Sequence, residues 1–294
     1  MPDRLPVTHL DHISLRVPDP DAAAAYYARV MGLGETGRDA ATGTIHLTSL
    51  PSGQAAVPPR EIVLSRGDVS LDHFGLGVPD DAALARAAEM LRRRGVDVEG
   101  PRGFEGFQGP SVRLRDCDGH VVELVVTPRR VPRPAVSTPF DLVKLSHVNL
   151  RSADPKRAAR WWQDVMDFRL SDEIPETFYW LRCNPEHTVV AFVRGGAAGL
   201  HHLGYEIASW DEILRLGDHF TANGAQIEFG PGRHGPGHTI FVYFVDPWGL
   251  RWEALCDIAR IEDDATYVPG VWDPARGRLG AVNLWGPKPP QSFM

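Results

Sequence analysis

Cysteine is scarce in this 294-residue chain: Cys117, Cys183 and Cys256 stand far apart, and no CxxC pair occurs. Three scattered thiols offer no disulfide framework and suit a reducing cytoplasm. Long basic runs are missing too. The formal net charge is −7 and the isoelectric point is near 5.9, which argues against nucleic acid and anionic membrane as partners. No apolar run approaches the roughly 20 residues of a bilayer span. Met1-Pro2-Asp3-Arg4 leads into strand-like sequence without the apolar core of a signal peptide. The expectation is a soluble cytoplasmic protein without nucleic-acid or membrane partners.

What is present is a globular composition, 43% hydrophobic and 23% charged, with 12 histidines and 8 tryptophans whose positions carry the information. The length allows two ordinary domains, and the sequence repeats itself. Leu10-Asp11-His12-Ile13-Ser14-Leu15-Arg16-Val17 alternates as a half-buried strand. Aspartates then cap a helix over 22–32 that closes on Gly32. Leu145-Ser146-His147-Val148-Asn149-Leu150-Arg151, Asp154-Pro155 and a helix over 158–166 repeat this pattern, with His12 answering to His147. Leu71-Asp72-His73-Phe74-Gly75 matches Leu200-His201-His202-Leu203-Gly204, each pattern leading to a second helix, 80–94 and 210–223. Asp116-Cys117-Asp118-Gly119, ending in Glu123, matches Asp246-Pro247-Trp248-Gly249, ending in Glu253.

The chain is therefore a duplication joined by the proline-rich stretch 128–139, each half reading as two βαβββ-like units. The predicted class is α+β, with domains 1–135 and 136–294 and a Pro-, Gly- and Trp-rich tail, 257–294, placed as a lid.

The stretch from Gly232 to Glu253 reads as a glycine-rich loop, a strand, a tight turn at Asp246-Pro247-Trp248-Gly249, and a second strand. There Leu250, Trp252 and Ala254 alternate with Arg251, Glu253 and Leu255. A carboxylate in so apolar a strand needs a metal ion or a buried partner. His147, His202 and Glu253 occupy the recurring strand positions. Two imidazoles and a carboxylate on separate strands can form a facial triad that leaves cis positions open, an arrangement suited to non-haem Fe(II).

At these residues the chain resembles the two-domain type I extradiol ring-cleaving dioxygenases of the vicinal oxygen chelate superfamily. Gly232-x-His234 followed by Val242-Tyr243-x-x-Asp246-Pro247-x-Gly249-x-x-x-Glu253 carries the likeness. The resemblance implies two tandem domains and a metal held by His147, His202 and Glu253, Fe(II) or Mn(II). It implies an acid–base histidine at His187, within His187-Thr188-Val189-Val190-Ala191-Phe192, 15 residues before His202. His234 and Tyr243 follow as residues contacting substrate. The implied reaction is meta cleavage of a substituted catechol by O2, in a homotetramer. Chelation lowers the pKa of the diol, and proton transfer by His187 contributes roughly 10²–10⁴-fold.

The tail, Leu284-Trp285-Gly286-Pro287-Lys288-Pro289-Pro290-Gln291-Ser292-Phe293, is similar to that of homoprotocatechuate 2,3-dioxygenases, which would put Trp285 in a lid over the ring. Trp180 is a second candidate for the ring pocket. The arginine that this branch carries before a tail tryptophan is absent: Val271 precedes Trp272, and Arg276 or Arg278 would have to substitute. His201 reads as a bystander facing the other side of its strand. The N-terminal echo, His12, His73 and Glu123, lacks the companions: Pro58, Phe104 and Arg113 stand near the places of His187, His234 and Tyr243. It reads as a relic triad. The rivals are a glyoxalase-like isomerase or hydrolase, which needs a fourth protein ligand, and a metal-free binding protein, which needs no such triad.

Overall fold

Helix α1 (Pro20–Met31) starts where the Asp19 carboxylate accepts from the backbone N–H of Asp21 and Ala22, and it stops at Gly32, φ 70°. That is the capping pattern the sequence prescribes. The computed structural model describes residues 4–49, 60–103, 109–127, 140–273, 281–286 and 288–293. Pro58, Phe104, Arg276, Arg278 and the stretch 128–139 lie outside them.

The chain divides near residue 136 into two compact units. In the first, β1 (His9–Val17), α1, β2 (Gly34–Arg38), β3 (Ile45–Thr48) and β4 (Ile62–Arg66) form one βαβββ module. A second follows: β5 (Ser70–Val78), α2 (Asp81–Arg93), β6 (Val98–Arg102), β7 (Ser111–Arg115) and β8 (Val121–Val126). Their strands make one eight-stranded sheet, ordered β2-β3-β4-β1-β5-β8-β7-β6.

The second unit repeats the plan with β9 (Leu142–Ser152), α3 (Pro155–Met166), β10 (Arg169–Ile174), β11 (Phe178–Arg182) and β12 (Val190–Arg194). Then come β13 (Gly199–Ile207), α4 (Trp210–Ala222), β14 (Ile227–Arg233), β15 (Ile240–Val245) and β16 (Arg251–Cys256). The short β17 (Gly270–Val271), from the tail, pairs in parallel with β10 and closes the order β14-β15-β16-β13-β9-β12-β11-β10-β17. The duplicated α+β plan read from the repeats is the observed one.

One turn fixes the register that matters. The Asp246 carboxylate accepts from the N–H of Trp248 and Leu250, each at 2.9 Å, and Gly249 takes φ 86°. The β15–β16 hairpin then sets Tyr243 directly opposite Glu253. Asp116 and Gly119 build the same turn in the first unit and set Arg113 opposite Glu123. Strand β16 departs from the alternation expected of it, since all six residues are buried. Arg251 tolerates burial because Glu228 binds its guanidinium through two contacts, at 2.6 and 2.9 Å.

Candidate metal centre and its cleft

Three neighbouring strands, β9, β13 and β16, carry His147, His202 and Glu253 to one place. Nε2 of His147 lies 3.1 Å from Nε2 of His202 and 3.0 Å from Oε2 of Glu253, and His202 Nε2 is 3.3 Å from the same oxygen. Three cis donors bound at about 2.1 Å to one ion stand about 3.0 Å apart, so the set fits an octahedral face. All three side chains are buried. Gly204 makes this approach possible. It pairs with His147 on one side and Glu253 on the other, and a Cβ there would sit 2.3 Å from the imidazole of His147.

Tyr243 and His234 stand beside the triad. His234 donates from Nδ1 to the carbonyl of Val282 at 2.5 Å; in the neutral imidazole Nε2 then accepts from the Tyr243 hydroxyl at 2.9 Å. That Nε2 also lies 3.3 Å from Glu253 Oε1, a buried oxygen with no hydrogen-bond partner among the described residues. Burial, and then the Glu253 charge, push the Tyr243 phenol well above its ordinary pKa. Burial pushes His202 down to about 4, against the opposing pull of Glu253, leaving a neutral imidazole able to ligate.

The triad opens into a cleft of about 500 Å³, part of it open to solvent. Its apolar wall includes Phe178, Trp180, Ile258, Ala281, Val282 and Phe293, and Thr188 and Thr239 add polar edges. Trp180 stacks on Phe178 with ring centroids 3.9 Å apart. The tail thus forms part of the wall, although Trp285 does not. That ring is 51% exposed, packed edge-on against Trp210 and under the Arg233 guanidinium, outside the cleft lining. The aromatic that the tail delivers is Phe293.

His187 is also placed differently from the other expected residues. Its neighbour Thr188 lines the cleft, whereas the His187 ring is buried with Nδ1 2.9 Å from Thr188 Oγ1 and Nε2 3.1 Å from Asp172 Oδ2. Asp172 further accepts from the Gly270 N–H, Trp272 Nε1 and the Tyr267 hydroxyl. Burial raises the Asp172 pKa, but His187 and these donors outweigh it and hold the carboxyl low. Nothing in the sequence signalled Asp172. His201 is no bystander: its Nδ1 is 2.7 Å from Nδ1 of His202. The doubled histidine was the available signal, and strand alternation pointed the wrong way.

The N-terminal triad is assembled as well, with His12 Nε2 and His73 Nε2 at 3.4 and 3.0 Å from Glu123 Oε2. Its surroundings differ in charge. Asp11 and Asp72 each bind the Nδ1 of the following histidine at 2.7 Å, whereas the corresponding position before His147 is Ser146 at 3.4 Å. Arg113, in the place of Tyr243, brings Nη2 to 3.3 Å from His73 Nε2 and 3.4 Å from Glu123 Oε2. Desolvation opposes a charge on His73, but its bonds to Asp72 and Glu123 raise its pKa. By its geometry this triad is a second candidate metal site, distinguished from the first by the Arg113 guanidinium beside Glu123.

Fold and site together define a duplicated βαβββ scaffold with a candidate two-histidine, one-carboxylate metal centre in each half, the one in the second half opening into the cleft. The chain belongs to the Glyoxalase/Bleomycin resistance protein/Dioxygenase superfamily, whose model matches residues 9–124 and 144–254. It is similar to a 3-methylcatechol 2,3-dioxygenase of Pseudomonas putida, 33% identical, covering 73% of this chain and 77% of that protein. A metapyrocatechase of Pseudomonas sp. (strain CF600) is 27% identical over 83% of this chain and 84% of its own length. The crystal structure of a Mn(II)-bound glyoxalase from Novosphingobium aromaticivorans aligns with a TM-score of 0.84 at 27% identity, covering 97% and 93% of the two chains.

Proposed function

We propose that this chain is an extradiol dioxygenase that opens the ring of a substituted catechol with O2. The observation that carries the reading is the convergence of His147, His202 and Glu253 at the floor of an apolar cleft, with the Tyr243–His234 pair at its side. When bound there, Fe(II), or alternatively Mn(II), supplies Lewis acidity toward two adjacent hydroxyls and the redox reactivity toward dioxygen.

The chain's own residues do the rest. Phe178, Trp180, Ile258 and Phe293 receive the ring and displace water from it. Tyr243 donates to His234, which leans on the Val282 carbonyl, so a substrate hydroxyl at this edge meets an oriented donor–acceptor pair. His234 Nε2 can take a proton from the diol, and the Tyr243 hydroxyl stays protonated to hold the developing oxyanion. His187, expected to return a proton during O–O cleavage, acts in this reading after its ring leaves Asp172 for the cleft. The ring carbon–carbon bond beside the two hydroxyls breaks, and both oxygen atoms of O2 enter a yellow ring-opened semialdehyde acid.

Among the described residues the cleft lining contains no arginine or lysine. The substituted catechol of this reading is a homoprotocatechuate-like or an alkyl- or aryl-bearing one. A glyoxalase-like reaction is the second reading, carried by the likeness to the Mn(II)-bound glyoxalase. Against it, the triad has no fourth protein ligand among the described residues. Assembly as a homotetramer in the cytoplasm belongs to the same proposal, and light scattering checks the assembly.

Anaerobic reconstitution with Fe(II) or Mn(II), followed by oxygen and catechol, a 4-alkylcatechol or 3,4-dihydroxyphenylacetate, tests the reading. Oxygen uptake with a yellow product is expected. Neither signal from any of the three would sink it.

A further inference from the structure

We propose that His201 is a positioning residue that fixes the tautomer of His202, and that the docked C-terminal tail fixes His201 in turn. The proposal rests on the metal reading of the His147–His202–Glu253 triad.

A backbone carbonyl can only accept, so the 2.8 Å contact between His201 Nε2 and the Phe293 oxygen places a proton on Nε2. In a neutral imidazole the lone pair then sits on Nδ1. The 2.7 Å contact between the two Nδ1 atoms must therefore carry the proton of His202. His202 is left with its lone pair on Nε2, the atom 3.3 Å from Glu253 Oε2 and 3.1 Å from His147 Nε2. The opposite tautomer would put a proton where the ion belongs.

The tail carbonyl is itself held. Arg251 donates to the Ser292 carbonyl at 2.8 Å, and the Ser292 hydroxyl reaches Glu228 at 3.0 Å. The Phe293 ring is buried against Tyr243, Phe229 and His201, with the Arg251 guanidinium 4.9 Å from its centroid. The N-terminal copy shows what the device replaces. At the place of His201 stands Asp72, whose carboxylate binds His73 Nδ1 directly and needs no tail. Exchanging that carboxylate for an imidazole makes the ligand's orientation conditional on the chain end being seated. Partners behind a metal-bound histidine are worth about 10–100-fold in metal affinity, and a tail contact is a reversible way to apply that factor.

The test is Mn(II) affinity of the full chain, measured by EPR of free aqueous Mn(II), with thermal unfolding as the fold control. His201→Leu is expected to bind about 10–100-fold more weakly. His201→Asp, which copies the N-terminal arrangement, is expected to stay near wild type. Phe293→Ala, which frees the carbonyl, should weaken Mn(II) binding in the wild type but not in His201→Asp. Wild-type affinity in His201→Leu overturns the proposal, as does an equal loss from Phe293→Ala in both backgrounds. If His201→Leu does not fold, the Phe293→Ala comparison decides alone. A wild-type chain that binds neither Mn(II) nor Fe(II) overturns the metal reading itself, and this proposal falls with it.

Discussion

Gly204→Ala is a one-carbon perturbation whose consequence follows from distances. The new Cβ would lie 2.3 Å from Cε1, 2.6 Å from Nδ1 and 2.9 Å from Nε2 of His147. Carbon contacts settle near about 3.5 Å, so the imidazole must retreat by roughly 1 Å. Metal–ligand bonds tolerate about 0.2 Å, and a misplacement near 1 Å in a catalytic constellation costs about 10²-fold. Turnover of the Fe(II)-loaded variant should fall about 100-fold and Mn(II) binding should weaken, while overpacking removes about 1–3 kcal/mol of stability. Gly75 supplies the control, because a Cβ there would meet His12 Cε1 at 2.1 Å in the N-terminal copy. Gly75→Ala should lose comparable stability yet keep its metal and its turnover. The assay pairs metal content with the rate of yellow product formation and the unfolding midpoint. Wild-type turnover in Gly204→Ala, or equal loss in both variants, would refute the reasoning.

Three further outcomes are expected. Tyr243→Phe and His234→Phe should each slow turnover by about 10²–10⁴-fold with metal retained, the range for lost proton handling; lost metal in either would reassign its role. Metal analysis of the reconstituted chain should give one ion, because the Arg113 guanidinium already brings a positive charge to 3.4 Å from Glu123 Oε2; two ions per chain would contradict that account. The metal-free protein should lose stability on acidification. His202 has a folded pKa of about 4 against an ordinary 6.5, so between these values the unfolded chain binds more protons and stability rises with pH. Denaturation midpoints of wild type and His202→Asn across that window should converge at low pH, and parallel curves would falsify the assignment.

The tail shows where reading residues in order stops working. Its motif contains both Trp285 and Phe293, and only packing decides which enters the cleft. Arg233 and Trp210 hold the tryptophan outside, while the Arg251–Glu228 pair seats the phenylalanine. Mutating each to alanine separates them, since Trp285→Ala should leave KM unchanged and Phe293→Ala should raise it.

Much of the protein was legible in the chain itself. Capping aspartates, αL glycines and the Asp-x-x-Gly turns act through the few residues beside them, so they specify helices and hairpins locally. Repetition of those signals exposed the duplicated βαβββ plan and the equivalence of His147, His202 and Glu253. Because side chains on a strand keep a period of two, a histidine and a glutamate at the recurring positions could be assigned to one face. The partners behind them could not. Asp172 beside His187, Phe293 behind His201 and Arg113 over the N-terminal triad are cross-strand or tail contacts between residues distant in sequence. Local pattern decided which atoms face the candidate metal position. Long-range packing decided the protonation and orientation those atoms hold when they arrive there, because burial and neighbouring charge are properties of the assembled sheet.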